Sequence, residues 1–266
     1  MIQVGSVKYE DERTVPESMS SEKTLEETVS MLESFEDLSW QEKLLVPPRI
    51  ARSTLDFSID TNVDGVEKFR RASSALDICV LAYKGDIYQL NVALDSFKDE
   101  FEDMMSAPVV QKKDLCSWLS YINPNNGPEA ASTVLSRYSS TPVTILGISH
   151  GGLPPSVDIY NRLVSAKEYD ENPTIYTFRL SANKQGDKDP QLTDYENDWI
   201  QYQSRSTDIV LVDEDVDTGG TLLKAERHMD YLGISNYSSI VFDNEMSWLN
   251  DSGLLRVSDL PIELYS

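Results

Sequence analysis

In the stretch Ile209-Val-Leu-Val-Asp213-Glu214-Asp215-Val216-Asp217-Thr218-Gly219-Gly220-Thr221 an apolar run gives way to acids and then to a glycine turn. The run from 209 to 212 has the length and β-branching of a buried strand. A glycine turn that opens a helix aims free backbone N–H groups at one point, and the helix dipole adds positive potential there. A phosphate suits that position, and Thr218 and Thr221 can donate hydroxyls to it. Carboxylates immediately upstream would repel the phosphate if they pointed at it. They fit if they face vicinal hydroxyls or a divalent cation a few ångströms away. A phosphorylated ribose with free 2- and 3-hydroxyls has that shape.

Working outward, the same half of the chain alternates short apolar runs with helical patterns. Residues 143–148 form a β-branched run, followed by Ser149-His150-Gly151-Gly152, and Pro154-Pro155 opens a helix to about Ala166. Further strands are expected at 174–180, 209–212 and 237–242, with a helix over 222–232 that ends at Gly233. The polar stretch 181–206, with Lys184, Gly186, Asp187, Lys188 and Pro190, reads as a loop. Strands alternating with helices mean an α/β fold with a parallel sheet, whose ligands sit at the carboxyl ends of the strands.

The 209–221 block resembles the PRPP motif of type I phosphoribosyltransferases: an apolar strand, two adjacent acids, two variable positions, one more, then Thr-Gly-x-Thr. The resemblance implies that Asp213 and Glu214 hold the ribose hydroxyls, with Mg²⁺ close by and the two acids as its direct or indirect ligands. It implies that Asp217, Thr218, Gly219, Gly220 and Thr221 bind the 5-phosphate. Asp217 falls where the 6-oxopurine members carry an aspartate that acts on the proton of the base, so a purine acceptor is favoured. The catalytic set implied is Asp217, Asp213 and Glu214. The stretch Thr144-Ile-Leu-Gly147-Ile-Ser149-His150-Gly151-Gly152-Leu153-Pro154 resembles the family's pyrophosphate loop, with Ser149, His150, Gly151 and Gly152 as contacts. The family usually places Arg or Lys where His150 stands. About 60 residues separate the motifs, and the 181–206 segment sits where the family's flexible loop belongs, so Lys184 and Lys188 are candidates to reach substrate phosphates. The resemblance covers about residues 141–245.

The first 140 residues match no nameable pattern. Residues 1–22 are polar and read as a flexible arm, and residues 23–140 as a mainly helical region. Leu25, Val29, Leu32, Phe35 and Leu38 recur at helical spacing over 22–39, and Pro47-Pro48 is expected to end what precedes it. Leu76, Val80, Tyr83, Ile87, Leu90, Leu94, Phe97, Phe101 and Met104 form one stripe, on a long helix or on two broken at Gly85-Asp86. Packing within the domain is the expected use of that stripe; the other is a pairing surface that makes a homo-oligomer.

Composition narrows the function further. The net charge is −22, spread over both halves: residues 1–140 carry 14 basic and 24 acidic side chains, and residues 141–266 carry 9 and 21. So acidic a surface disfavours nucleic acid and anionic membranes as partners. No apolar window spans a membrane and no apolar leader opens the chain, which predicts a cytoplasmic protein. Cys79 and Cys116 have no metal-ligand spacing and read as buried free thiols; His228 reads as surface or packing, and Trp199, Trp248 and Tyr195 as packing.

Three other readings accompany transfer of a phosphoribosyl group. One is a non-catalytic domain that senses PRPP or a nucleotide. Another is the same fold acting on a different phosphorylated or pyrophosphorylated substrate. The last is a relative of phosphoribosyl pyrophosphate synthase, whose two tandem halves have no counterpart in this chain.

Overall fold

The computed structural model describes residues 23–109, 126–138, 141–149, 151–166, 172–180, 189–216 and 220–244. The chain divides into two compact units, Met1–Leu119 and Ser120–Ser266. Among the described residues no helix is long and apolar enough to cross a membrane.

The first unit is helical: α1 (Leu25–Glu33), α2 (Trp40–Asp60), α3 (Gly65–Lys84) and α4 (Ile87–Glu100), with 3₁₀ turns at Phe35–Asp37 and Glu102–Met104. Strands β1 (Lys23–Thr24) and β2 (Pro108–Val109) pair antiparallel beside them. Thr24 starts α1 through a capping box with Glu27, and Ser39 does the same for α2 with Glu42. Two further orphan amides of α1 are satisfied from the β2 side, Leu25 N by Ala107 O and Glu26 N by Met105 O, each at 2.9 Å.

The long apolar stripe is two helices. Gly85 ends α3 in the left-handed region at φ 75°, which only glycine adopts without strain, and its N–H bonds the carbonyls of Leu81 and Ala82. Leu76, Tyr83, Leu90, Leu94, Phe97, Phe101 and Met104 are buried, so most of the stripe faces an interior. Pro47-Pro48 does not end the preceding helix, contrary to the sequence expectation: both lie inside α2. Pro48 has no N–H for the Leu44 carbonyl. The Tyr83 hydroxyl supplies the missing donor at 2.7 Å, and the Cys79 thiol donates to the Pro47 carbonyl at 3.1 Å. Helix α3 thus supplies a donor for one of the carbonyls the prolines release, that of Leu44, and a further contact to the Pro47 carbonyl. Cys79 is buried as expected, and burial pushes its thiol well up from the ordinary range; Cys116 lies outside the described residues.

The second unit is the expected α/β fold. Strands β3 (Val143–Ser149), β4 (Thr174–Arg179), β5 (Asp208–Val216) and β6 (Tyr237–Asn244) form one parallel sheet in the order β4-β3-β5-β6. Helices α5 (Asn126–Tyr138), α6 (Leu153–Ser165), α7 (Asp194–Gln203) and α8 (Gly220–Tyr231) accompany it. Val134 and Tyr138 of α5 and Ile159 and Leu163 of α6 share a core with Val143, Ile145, Val210, Val212 and Ile240. The second unit therefore begins before residue 141, where the sequence reading placed the boundary: α5 packs with the sheet, and Tyr138 Oη lies 2.7 Å from Ser238 Oγ of β6. At the amino end of the sheet Thr144 Oγ1 lies 2.7 Å from Thr174 Oγ1 and 2.8 Å from Thr207 Oγ1, tying the starts of three strands together.

The polar 181–206 stretch is not all loop. Residues 194–203 form α7, opened by a capping box between Thr193 and Glu196. Glu196 is fully buried, and its other oxygen accepts the Tyr176 hydroxyl at 2.5 Å. Burial and the neighbouring carboxylate hold the Tyr176 phenol well above its ordinary range.

Replacing Tyr83 with Phe is expected to leave the Leu44 carbonyl without a donor. Unfolding in urea should show a loss of about 1–3 kcal/mol, the cost of an unsatisfied buried polar group.

Candidate functional site

The strand order sets where a ligand can sit. Strand β3 leads through α6 to β4 on one side, and β5 leads through α8 to β6 on the other. The two diverging connections open a crevice beyond the carboxyl ends of β3 and β5, the switch point of a parallel sheet. Both segments singled out in the sequence leave the sheet there.

Register shows how the crevice forms. Strand β5 pairs with β3 as far as Gly147↔Val212, and beyond Val212 it pairs only with β6, at Asp213↔Val241, Asp215↔Asp243 and Val216↔Asn244. The chain from β3 turns away over the same interval. Gly152 N donates to Ile148 O at 2.8 Å, closing a tight turn, and α6 starts at Leu153 with Pro154 and Pro155 in its first turn. Gly152 lies directly against β5: a Cβ added there would stand 1.9 Å from the Val212 carbonyl oxygen and 2.9 Å from Ile148 N. Only a residue without a side chain can hold the turn against the strand at that point.

The predicted site residues fall into three groups. Ser149, Gly151 and Gly152 lie at the end of β3 and in the turn that follows, all buried. Asp213 is buried in β5 one position beyond the Gly152 contact, and the backbone of Glu214 continues the strand. Gly220 and Thr221 open α8, so the amino end of that helix is at the same end of the sheet as Asp213. His150, Lys184, Lys188, Asp217, Thr218 and Gly219 lie outside the described residues, as does Trp248. The strand is longer than the sequence suggested. It runs to Val216, so Asp213, Glu214 and Asp215 are strand residues, with Asp213 paired to Val241 and Asp215 to Asp243, rather than a loop beyond the strand.

Ser149 carries a further signal. Its hydroxyl oxygen is buried and makes no hydrogen bond among the described residues. Its carbonyl accepts from Leu180 N at 3.5 Å, a long bond between the ends of β3 and β4. A buried hydroxyl without a partner is uncommon and calls for an explanation.

Gly147 is a packing position that sequence reasoning passed over. A Cβ there would lie 2.5 Å from Ser156 Oγ, so its absence lets the first turn of α6 press onto β3. The signal was a glycine inside an otherwise apolar strand. The aromatic and histidine candidates do not reach the crevice by any described contact. Trp199 packs on Tyr176 with ring centroids 5.4 Å apart, and Tyr195 is exposed. His228 Nε2 lies 2.8 Å from Asn197 Oδ1 and joins α8 to α7; burial holds its imidazole below the usual range, against the opposing charge of Asp189.

Residues 124–251 match the family model of the phosphoribosyl transferase domain, and the match lies within the second unit and includes all four strands of its parallel sheet. No curated protein matches the chain. Among solved structures, a hypoxanthine phosphoribosyltransferase from Staphylococcus aureus is 18% identical, with 45% of this chain and 61% of that chain covered and a TM-score of 0.32. The aligned part thus spans less than two thirds of that protein.

Substituting Gly152 with Ala forces a methyl group onto the Val212 carbonyl. We expect a loss of about 1–3 kcal/mol in urea unfolding, the range for overpacked sites, and loss of whatever affinity the crevice has for phosphates. Gly151→Ala, two residues from the first turn of α6, is the comparison that separates local crowding from general damage.

Proposed function

We propose that the second unit is a Mg²⁺-dependent phosphoribosyltransferase that moves ribose 5-phosphate from PRPP to a nitrogenous base, with a purine favoured, and releases pyrophosphate. The observation that carries this reading is the Gly152–Val212 contact at the switch point. It sets the turn after β3 beside the strand that delivers Asp213, and α8 begins at the same end of the sheet. The family match over residues 124–251 supports it independently.

In this reading the backbone of 149–152, with the Ser149 hydroxyl, receives the pyrophosphate. The 217–221 segment and the amino end of α8 receive the 5-phosphate through amide donors. Asp213 and Glu214 accept hydrogen bonds from the ribose hydroxyls. Asp213 is a buried carboxylate at the mouth of the crevice, which fits Mg²⁺, an ion that takes one or two carboxylates and completes its shell with phosphates and water. When bound, the ion offsets charge on the leaving pyrophosphate. Positive charge builds at C1 and the ring oxygen as the glycosidic bond breaks, and the carboxylates beside it stabilise that charge. Asp217 accepts the proton of the incoming base. Lys184 is the basic side chain assigned to substrate phosphates.

One sequence feature favours a second reading, a domain that binds PRPP without turning it over. Where the family usually has Arg or Lys in the pyrophosphate loop, this chain has His150. A neutral imidazole offers one hydrogen bond and no charge.

Calorimetry with PRPP and Mg²⁺ on the wild type and on the Asp213→Asn/Glu214→Gln variant, beside a pyrophosphate-release assay with a panel of bases, decides between them. We expect saturable binding, weakened at least about tenfold in the variant, and pyrophosphate release with a 6-oxopurine. Binding without release for any base selects the sensing domain. No binding by the wild type removes PRPP as the ligand.

A further inference from the structure

The two helices that start at the carboxyl end of the sheet are unequal in what they can donate. A helix leaves the N–H groups of its N-cap and first three positions without partners inside the helix. Helix α6 has Gly152 as its N-cap and Leu153, Pro154 and Pro155 in those positions. Gly152 N is spent on Ile148 O at 2.8 Å, and the two prolines have no N–H. The next amide, Ser156 N, donates to Gly152 O at 3.0 Å as an ordinary helix bond. Of that set Leu153 N alone remains to meet a ligand. Helix α8 begins Gly220-Thr221-Leu222, and all three residues carry an N–H.

The prolines do more than start the helix. One proline suffices for that, and the first position is its preferred place. Here the second and third positions carry them, where each removes a donor that would point along the axis toward the turn after β3. The dipole of α6 keeps its sign and still attracts an anion. What is missing is the set of directed hydrogen bonds that would hold one. The Ser149 hydroxyl, buried and without a hydrogen bond among the described residues, adds a single donor at this end.

We propose that Pro154 and Pro155 are specificity-determining residues. By withholding two amides at the α6 end, they bias the crevice toward a ribose 5-phosphate monoester and against a ligand that also carries pyrophosphate. The proposal rests on the reading that the crevice takes a phosphorylated ribose, with its 5-phosphate at α8 and any pyrophosphate at the turn after β3. A monoester has one charged phosphoryl group, which α8 serves with the amides of its first turn. Pyrophosphate brings two more to the end where donors have been removed, in a protein whose net charge of −22 opposes them. Hydrogen bonds to charged groups are the strong ones, so the loss falls most heavily on the more highly charged ligand.

Calorimetry on the whole chain in EDTA reads the protein's own donors, with ribose 5-phosphate and PRPP as the probes. The wild type should bind ribose 5-phosphate more tightly than PRPP. Pro154→Ala and Pro155→Ala each restore one N–H, and each should strengthen PRPP binding about tenfold while ribose 5-phosphate affinity stays within about twofold. The steady monoester affinity also shows that the variants are folded. Val157→Ala loosens the same buried helix without adding an N–H, and should leave the ratio of the two affinities as in the wild type. Tighter binding of PRPP than of ribose 5-phosphate by the wild type, an unchanged ratio in both proline variants, or the same gain in Val157→Ala overturns the proposal. Binding of neither ligand by the wild type, even with Mg²⁺ restored, overturns the reading of the crevice and the proposal with it.

Discussion

The contact between Gly152 and the Val212 carbonyl is the constraint on which the rest of the second unit depends. Strand β5 exchanges hydrogen bonds with β3 up to Val212 and with β6 alone beyond it. Something must occupy the space that β3 vacates, or the strand end would be left beside a void. The turn after β3 fills that space only because Gly152 has no side chain. The same contact bears on the proposed site. It sets a turn rich in backbone amides against the strand whose next residue is Asp213, with no more than one residue between them. Gly147 repeats the device one layer down, where the absence of a Cβ lets Ser156 approach β3 and seats the first turn of α6. Two glycines, six positions from first to last residue, thereby set how closely the turn and the first turn of α6 approach the sheet.

A chain with a net charge of −22 meets a difficulty in holding a polyanion. Long-range electrostatics opposes the approach of phosphate, and salt screens that opposition. Short-range donors must do the holding, and the fold supplies them without basic side chains. The amino ends of α6 and α8 both lie at the carboxyl end of the sheet, and each helix end carries roughly half a positive charge on its free amides. In the interior such dipoles act at low dielectric and lose little to solvent. A divalent cation brought with the ligand would add what the helices lack. On the proposed reading, the arrangement explains why the acids of β5 are tolerable so close to a phosphate. They belong to the strand, while the amides belong to the turns on either side.

Much of this was legible in the sequence because it rests on local patterns. The alternation of β-branched runs with helical stretches gave the parallel sheet, and the strand before the Asp213–Thr221 run is one of its central members. Other features were invisible for physical reasons. The length of β5 depends on its pairing with β6, a long-range contact that no local pattern records. Pro47-Pro48 read as a stop because the donor that replaces a missing proline N–H, the Tyr83 hydroxyl on α3, lies more than thirty residues away. Helix α7 was missed although its Thr193–Glu196 capping box was in plain view. Its apolar content is low because one of its buried side chains is Glu196, which the periodicity reads as solvent-facing. The boundary between the units shifted for a similar reason: α5 is amphipathic like the helices before it, and only Val134 and Tyr138 in the sheet's core reveal its allegiance.

Glu196 has a counterpart that bears on the site. Glu226 of α8 is also buried, and Ser239 of β6 donates to its Oε1 at 2.6 Å. A buried carboxylate left without donors costs several kcal/mol, far more than a small shift in apolar packing. Leu222, Ala225 and Met229 on the same helix are tolerant of sliding, because apolar contact is non-directional. The Ser239–Glu226 bond is not, since a slip of one turn would move the carboxylate about 5 Å from its donor. It therefore sets how far α8 projects along the sheet. Glu226 lies six residues from Gly220, about 9 Å along the axis, so fixing one end of that interval fixes the other. The depth of the amino end of α8, and with it the position of the amides that the proposed reading offers to a phosphate, is thus tied to a hydrogen bond in the core.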